Sequence, residues 1–210
     1  MPKIAASERD AFYESRRAEL AEVALRLWAE RGFDATPVSA IAEAAGISKG
    51  ALYLYFPSKQ ALLEEVLRRY SLFPSIQSLA ENIVGKSFED AVHAFVRHVW
   101  RHLSEHRDLI LLALRELPGH LDDAREAVEQ VLVPGNQLLA NYLQVHVGEQ
   151  RARKISLIIA GRGLIGTIVL VFLSQEILGV GRLLPVGEDE IVSTVAQIFL
   201  HGVLGPRGEG

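Results

Sequence analysis

Apolar positions recur at helical spacing along almost the whole chain, and Gly or Pro punctuates each run. Between Asp10 and Arg31, Leu20, Val23, Ala24, Leu27 and Trp28 make one face of a long helix. Gly32 stands where a C′ glycine belongs, and Phe33 can fold back on the last turn. In TPVSAIAEAAG, Thr36 is the expected N-cap, Pro37 the first helical residue and Gly46 the stop. Ser48 caps a short helix from Lys49 to Phe56 that Pro57 ends, and Ser58 caps the next, KQALLEEVLRRY. Ser87 caps a helix from Phe88 to about Glu105, with Val92, Phe95, Val96, Val99 and Leu103 as its buried stripe. RDLILLALREL follows, closed by Pro118-Gly119, and two helical pieces flank Pro134-Gly135 as far as Val147. A long apolar helix spans about Glu149 to Leu178, GVGRLLPVG is a loop, and EDEIVSTVAQIFLHGVL is the last helix. There is no repeat, no low-complexity segment and no hairpin signal, so the predicted fold class is all-α.

Composition narrows the options. Of 210 residues, 49% are hydrophobic, enough for a sizeable core. Cysteine is absent, which removes disulfides and thiolate metal sites and suits a cytoplasmic setting. The opening MPKIAASERDAFYESRR lacks an apolar run before a small-residue cleavage site, so no secretory signal is expected. Ten basic and ten acidic residues cancel over positions 1–70; twelve against sixteen in the remainder carry the whole net charge of −4. No block of like charge suggests a nucleic-acid tail or a polybasic anchor.

The short helices near the N-terminus carry the sharpest signal. Counted from Val38, the fourth and fifth residues are Ile41 and small Ala42, and the eighth to tenth are Ala45, Gly46 and Ile47. Leu52 is fifteenth and Tyr55 eighteenth. A helix-turn-helix needs apolar residues where its helices pack, a small one where they cross and a turn glycine. Every position fits.

Gly32-Phe33, Thr36, the run IAEAAGISKGALYLYFPSK from Ile41 to Lys59, and Leu62-Leu63 resemble the DNA-binding domain of TetR-family transcriptional regulators. The likeness covers roughly residues 10–70 and is most specific in its Tyr-x-Tyr-Phe-x-x-Lys ending. It implies an N-terminal three-helix helix-turn-helix domain (1–70), followed by a helical ligand-binding and dimerisation bundle (71–205). It also implies a homodimer that binds a palindromic operator of double-stranded DNA, represses, and lets go when a small-molecule effector binds. The expected mechanism is a population shift, the effector preferring a dimer whose recognition helices are spread away from a spacing of roughly 34 Å.

Expected DNA contacts follow. Lys49, Gly50 and Ala51 face outward on a first turn that meets base edges, and Ser48 opens a helix whose free N–H groups suit phosphate. Thr36 and Lys59 lie at two other helix starts, placed for backbone phosphates. By resemblance, Tyr53 and Tyr55 add phosphate contacts through their hydroxyls. Many family members carry a larger polar residue where Ser39 or Ala40 stands, Thr where Ala51 stands and His where Leu54 stands. With few hydrogen-bonding side chains and a neutral segment, selectivity should lean on apolar thymine contacts and DNA shape, with a shallow salt slope.

Two other readings compete. Gly161, Gly163 and Gly166 in AGRGLIG spell G-x-G-x-x-G, the turn of dinucleotide-binding oxidoreductases. That turn needs a strand before it and a parallel sheet around it, and the chain offers neither. The glycines fit better with Thr167, Leu170 and Ser174 on one stripe of a long helix that a second backbone can approach. By resemblance this is the dimer interface, with Ile191, Val195, Ile198 and Phe199 on the partner helix. A membrane helix is not expected, because Arg162 leaves only about eleven clean apolar residues, Gly163 to Leu173. The second rival is a helix-turn-helix used only for protein contacts.

For the effector, an apolar site with a few polar groups is expected, and Phe95, Val99, Trp100, Tyr142, Arg162 and Phe172 are its candidates. An acyl chain or aromatic acid, its anionic head paired with Arg162, fits that set. His98, His102 and His106 recur every four residues, but no Cys or carboxylate completes a metal set. No nucleophile elbow or Ser/His/Asp ordering names a reaction, so neither enzyme activity nor a cofactor is expected.

Overall fold

The computed structural model describes residues 6–70, 85–116 and 156–203, with the single positions 72, 75, 76, 78, 79, 83, 133, 137, 140, 141 and 143. No strand occurs among the described residues, and the chain is all-α. Pro118-Gly119, Pro134-Gly135 and the GPRGEG tail fall outside them. The helices are α1 (Ala6–Arg31), α2 (Val38–Ala44), α3 (Lys49–Tyr55), α4 (Lys59–Tyr70), α5 (Phe88–Glu105) and α6 (Arg107–Glu116). After them come α7 (Leu157–Phe172), a π turn (Leu173–Ile177), α8 (Val180–Leu183) and α9 (Glu188–Val203). They fall into two compact units, α1–α4 with α6 in the first, and α5 with α7–α9 in the second.

In the first unit α1 supplies Leu20, Ala24, Leu27 and Trp28 to a core shared with Ile41, Ala42, Leu52, Phe56, Leu62, Val66 and Leu112. Gly32 (φ 90) closes α1, its N–H donating to the Trp28 carbonyl at 2.8 Å, and the Phe33 ring packs edge-on to Trp28. The end of α6 grips this turn. Glu116 Oε1 accepts from Phe33 N–H at 3.0 Å, and Arg115 Nη1 donates to the Ala29 carbonyl at 3.1 Å.

Thr36 is not the N-cap of α2. Its side chain is buried, and its hydroxyl is turned back to donate to the Gly32 carbonyl at 2.7 Å, away from the first turn of α2. Pro37 occupies the N-cap position in extended geometry, without a side-chain bond. Thr36→Val keeps the volume but orphans a carbonyl. It should cost about 1–2 kcal/mol, read as an earlier urea midpoint; an unchanged midpoint would count against this role.

The second unit is built on α5. Its stripe of Val92, Phe95, Val96, Val99 and Leu103 is buried, as the periodicity predicts, and Ser87 caps it by accepting from Asp90 N–H at 3.1 Å. α9 packs on α5 and α7. Arg97 Nη1 reaches Asp189 at 2.6 Å and Glu188 at 3.2 Å, and Arg101 Nε reaches Glu188 at 3.0 Å, at the acidic start of α9. α7 begins at Leu157 with Ser156 as its cap. The expected 179–187 loop contains the short α8, folded against the π turn. Gly181 permits this, because a Cβ there would meet Gln175 Oε1 at 2.7 Å and its carbonyl oxygen at 3.0 Å.

Candidate nucleic-acid interface

The α2–α3 turn has the geometry the sequence implies. Gly46 takes φ 67, which a residue with a Cβ rarely adopts, and Ile47 N–H donates to the Ala42 carbonyl at 3.0 Å. Ser48 then caps α3, accepting from Ala51 N–H at 3.1 Å. Leu52 and Phe56 anchor the inner side of α3 in the core. On the outer side Ser48, Lys49, Gly50, Tyr53 and Leu54 are exposed and Ala51 is half-buried. The Lys49 ammonium lies 5.9 Å from the centre of the Tyr53 ring.

What holds this helix in place comes mostly from α1. Tyr13 stacks on the half-buried Tyr55 ring at 5.0 Å, and its hydroxyl donates to the Leu54 carbonyl at 3.4 Å. Arg17 Nη1 donates to the Tyr55 carbonyl at 2.7 Å, with its guanidinium 4.4 Å from the Phe56 ring centre. Arg16 Nη2 donates to the Ala45 carbonyl at the end of α2, at 3.3 Å. The open carbonyls at two helix ends are thus met by α1 side chains.

Arg17 is itself held by Glu65 on α4, Nη2 to Oε2 at 2.8 Å. Glu65 is only 5% exposed and also takes Arg68 (2.6 Å) and Arg69. Arg69 bridges back to Glu14 of α1 at 2.9 Å. Burial alone would raise the Glu65 pKa. Hydrogen bonds from Arg68, Arg17 and Arg69 outweigh it and bring the value down to about 2. Sequence reasoning missed this hub, since the Arg pair at i+3 and i+4 was its only local trace.

Two expected phosphate contacts are committed elsewhere. The Thr36 hydroxyl is buried, as described. Lys59 Nζ donates to the Phe33 carbonyl and sits 4.2 Å from that ring's centre; desolvation holds its pKa below the ordinary lysine value. Both residues lock the turn after α1.

The bacterial regulatory proteins of the tetR family match this chain over residues 20–66, the stretch from mid-α1 to the body of α4. The chain belongs to the TetR family. It is 30% identical over 155 residues to the uncharacterized HTH-type transcriptional regulator YerO of Bacillus subtilis, covering 71% of this chain and 53% of that one. It is 51% identical over 95 residues to the HTH-type transcriptional repressor KstR2 of Rhodococcus jostii, covering 39% and 47%. The chain therefore spans about half the length of these curated relatives. Among solved structures, FadR of Bacillus subtilis in complex with stearoyl-CoA shares the fold, with a TM-score of 0.72 and 19% identity over 88% of this chain and 98% of that one.

In this TetR-family chain the second-unit candidates divide. Phe95, Val99, Trp100 and Phe172 are buried together, Trp100 meeting Phe172 edge-on at 5.5 Å. Arg162 is exposed, on the opposite side of α7 from Gly161, Leu164 and Ile168, so it does not join that cluster. Tyr142 lies outside the described residues. His98 bonds Ser75, His102 is buried in α5, and His106 lies in the turn before α6, against Tyr70. No group of three metal-ligating side chains occurs among the described residues.

Gly161, Gly163 and Gly166 lie inside α7, and none has positive φ, so they form no phosphate-binding turn. Gly163, Gly166, Thr167 and Leu170 share an exposed stripe, with Ser174 half-buried further on. A Cβ on either glycine would meet nothing within 4 Å. On α9, Ile198 is exposed, whereas Ile191, Val195 and Phe199 are buried. Spaced four apart, those three form the stripe that α9 turns into its own unit's core. The length argument against a membrane helix also fails. Leu157–Ile177 is 21 residues long and contains an 18-residue stretch with a mean hydropathy of 2.2, so by length and composition alone it could cross a bilayer, and most of that stretch is not buried.

Proposed function

We propose that this chain is a homodimeric transcriptional repressor, acting in the cytoplasm, that grips a palindromic operator through α3 of each copy. A small apolar effector in the second unit releases it. The observation that carries the DNA half is the outer face of α3, with Ser48, Lys49, Gly50, Ala51, Tyr53 and Leu54 on a helix clamped by Tyr13 and Arg17. Such a helix suits a major groove, and a two-fold dimer presents two of them to a palindrome. Tyr55 positions α3 through its stack on Tyr13.

The dimer reading is supported by α7, an apolar helix left uncovered along Gly163, Gly166 and Leu170. A face of that kind calls for cover. A second copy fits better than lipid, because Arg162 interrupts the face and the two glycines let a backbone approach. Ile198 of α9 would border the same seam.

For the effector, the buried Phe95, Val99, Trp100 and Phe172 favour an acyl chain or an aromatic acid, and the stearoyl-CoA held by FadR points the same way. The effector acts by its differential affinity for a dimer with spread recognition helices.

Selection of genomic fragments on the purified protein at moderate salt tests the DNA reading. A short palindrome is the expected product, and no enrichment from effector-stripped protein would sink the proposal. On that palindrome, Lys49→Ala should weaken binding at every sequence and lower the salt slope by about one, and Tyr53→Phe should weaken it further, with dimerisation unchanged. A salt slope that does not respond would remove Lys49 from the interface. Long-chain acyl-CoA should raise the operator Kd; failure of acyl-CoA, fatty acids and aromatic acids alike would exclude this effector class.

A further inference from the structure

We infer that Leu54, with Ala51 one turn before it, reads thymine methyl groups, so that each operator half-site carries thymines at two neighbouring positions. The inference rests on the proposed DNA-reading role of α3. Leu54 is 79% exposed, more than any other large apolar side chain described in the first unit. It is also unable to withdraw. Leu52 and Phe56 anchor the inner side of α3, and Tyr13 and Arg17 hold the carbonyls of Leu54 and Tyr55. A rotation that buried Leu54 would break all four restraints.

The polar inventory of α3 leaves little else for discrimination. Its sequence, KGALYLY, contains no Arg, Asn or Gln, the side chains that bond purine edges in bidentate fashion. The Ser48 oxygen accepts from Ala51 N–H, which leaves its O–H as a single short donor, and Lys49 offers a single flexible point charge. Beside the Tyr53 ring, the outward aliphatic groups are Leu54 and the half-buried Ala51, and the apolar feature of the major groove is the thymine C5-methyl. Three residues apart, the two share a helix face and stand about 4.5 Å apart along its axis, matching bases one or two steps of about 3.4 Å apart.

The test uses the full chain and the palindrome recovered by selection, with each thymine replaced in turn by deoxyuridine. That replacement removes one methyl and leaves every hydrogen-bonding atom in place. Fluorescence anisotropy should record about a fourfold loss of affinity for each of two methyls per half-site. In Leu54→Ala the penalty at one of those positions should vanish, while Lys49→Ala, though weaker overall, should keep both. A wild-type chain indifferent to deoxyuridine everywhere, or a Leu54→Ala variant that keeps both penalties, overturns this inference and leaves the regulator reading standing. A chain that retains no sequence at all overturns the regulator reading and takes this inference with it.

Discussion

Glu65→Gln should lower the stability of the first unit by about 3 kcal/mol at neutral pH, the scale expected when one partner of a buried ion pair is removed. The amide keeps the shape of the side chain but cannot balance Arg17, Arg68 and Arg69, whose guanidiniums converge on one buried carboxylate. Arg68 is the most exposed of the three and contributes least. The dependence on pH separates a charge effect from a packing effect. Because the folded-state pKa of Glu65 is about 2 against an ordinary 4.5, its contribution is complete above the ordinary value. It drains away as pH falls from about 4.5 towards 2. Urea midpoints of the wild type should fall through that window, and those of Glu65→Gln should fall less. Parallel profiles for the two proteins would show that the arginines do not depend on this carboxylate.

Leu170→Arg should dissociate the proposed dimer. Leu170 is 68% exposed on the glycine stripe of α7, so the isolated fold tolerates the change. In the seam it would bury an unpaired cation on both copies, at a cost of several kcal/mol. The dimer dissociation constant should rise at least about a hundredfold by sedimentation, and operator affinity should drop because a monomer engages one half-site. Leu114→Arg, on the exposed side of α6, serves as the control and should leave the mass unchanged. A Leu170→Arg variant that remains dimeric would move the interface off α7.

Local signals in the sequence carried much of the architecture. Ser48 and Ser87 are caps as read, Gly32 and Gly46 end their helices as read, both with positive φ, and Ile41, Ala42 and Leu52 are buried where helix-turn-helix spacing puts them. Local signals failed where a side chain had a better distant partner. Thr36 satisfies every rule for an N-cap, yet its hydroxyl turns back to Gly32. Periodicity also leaves the azimuth of a helix open. Ile191, Val195, Ile198 and Phe199 are all apolar, but only a packed neighbour decides that the first, second and fourth turn inward and Ile198 outward. Arg162 was misplaced for the same reason, one residue of rotation separating it from the buried Gly161. The Glu65 hub was illegible because Arg17 lies 48 positions away.

The grip of α6 on the end of α1 has a consequence for protein engineering. Leu112, Arg115 and Glu116 complete a module whose other helices all lie within the first 70 residues. A chimera that transplants residues 1–70 alone onto a foreign sensor would strip the cover from α1 and leave the Phe33 amide without its acceptor. The exchangeable cassette in this chain is discontinuous, and grafting its specificity onto another scaffold means carrying the face of α6 along with it.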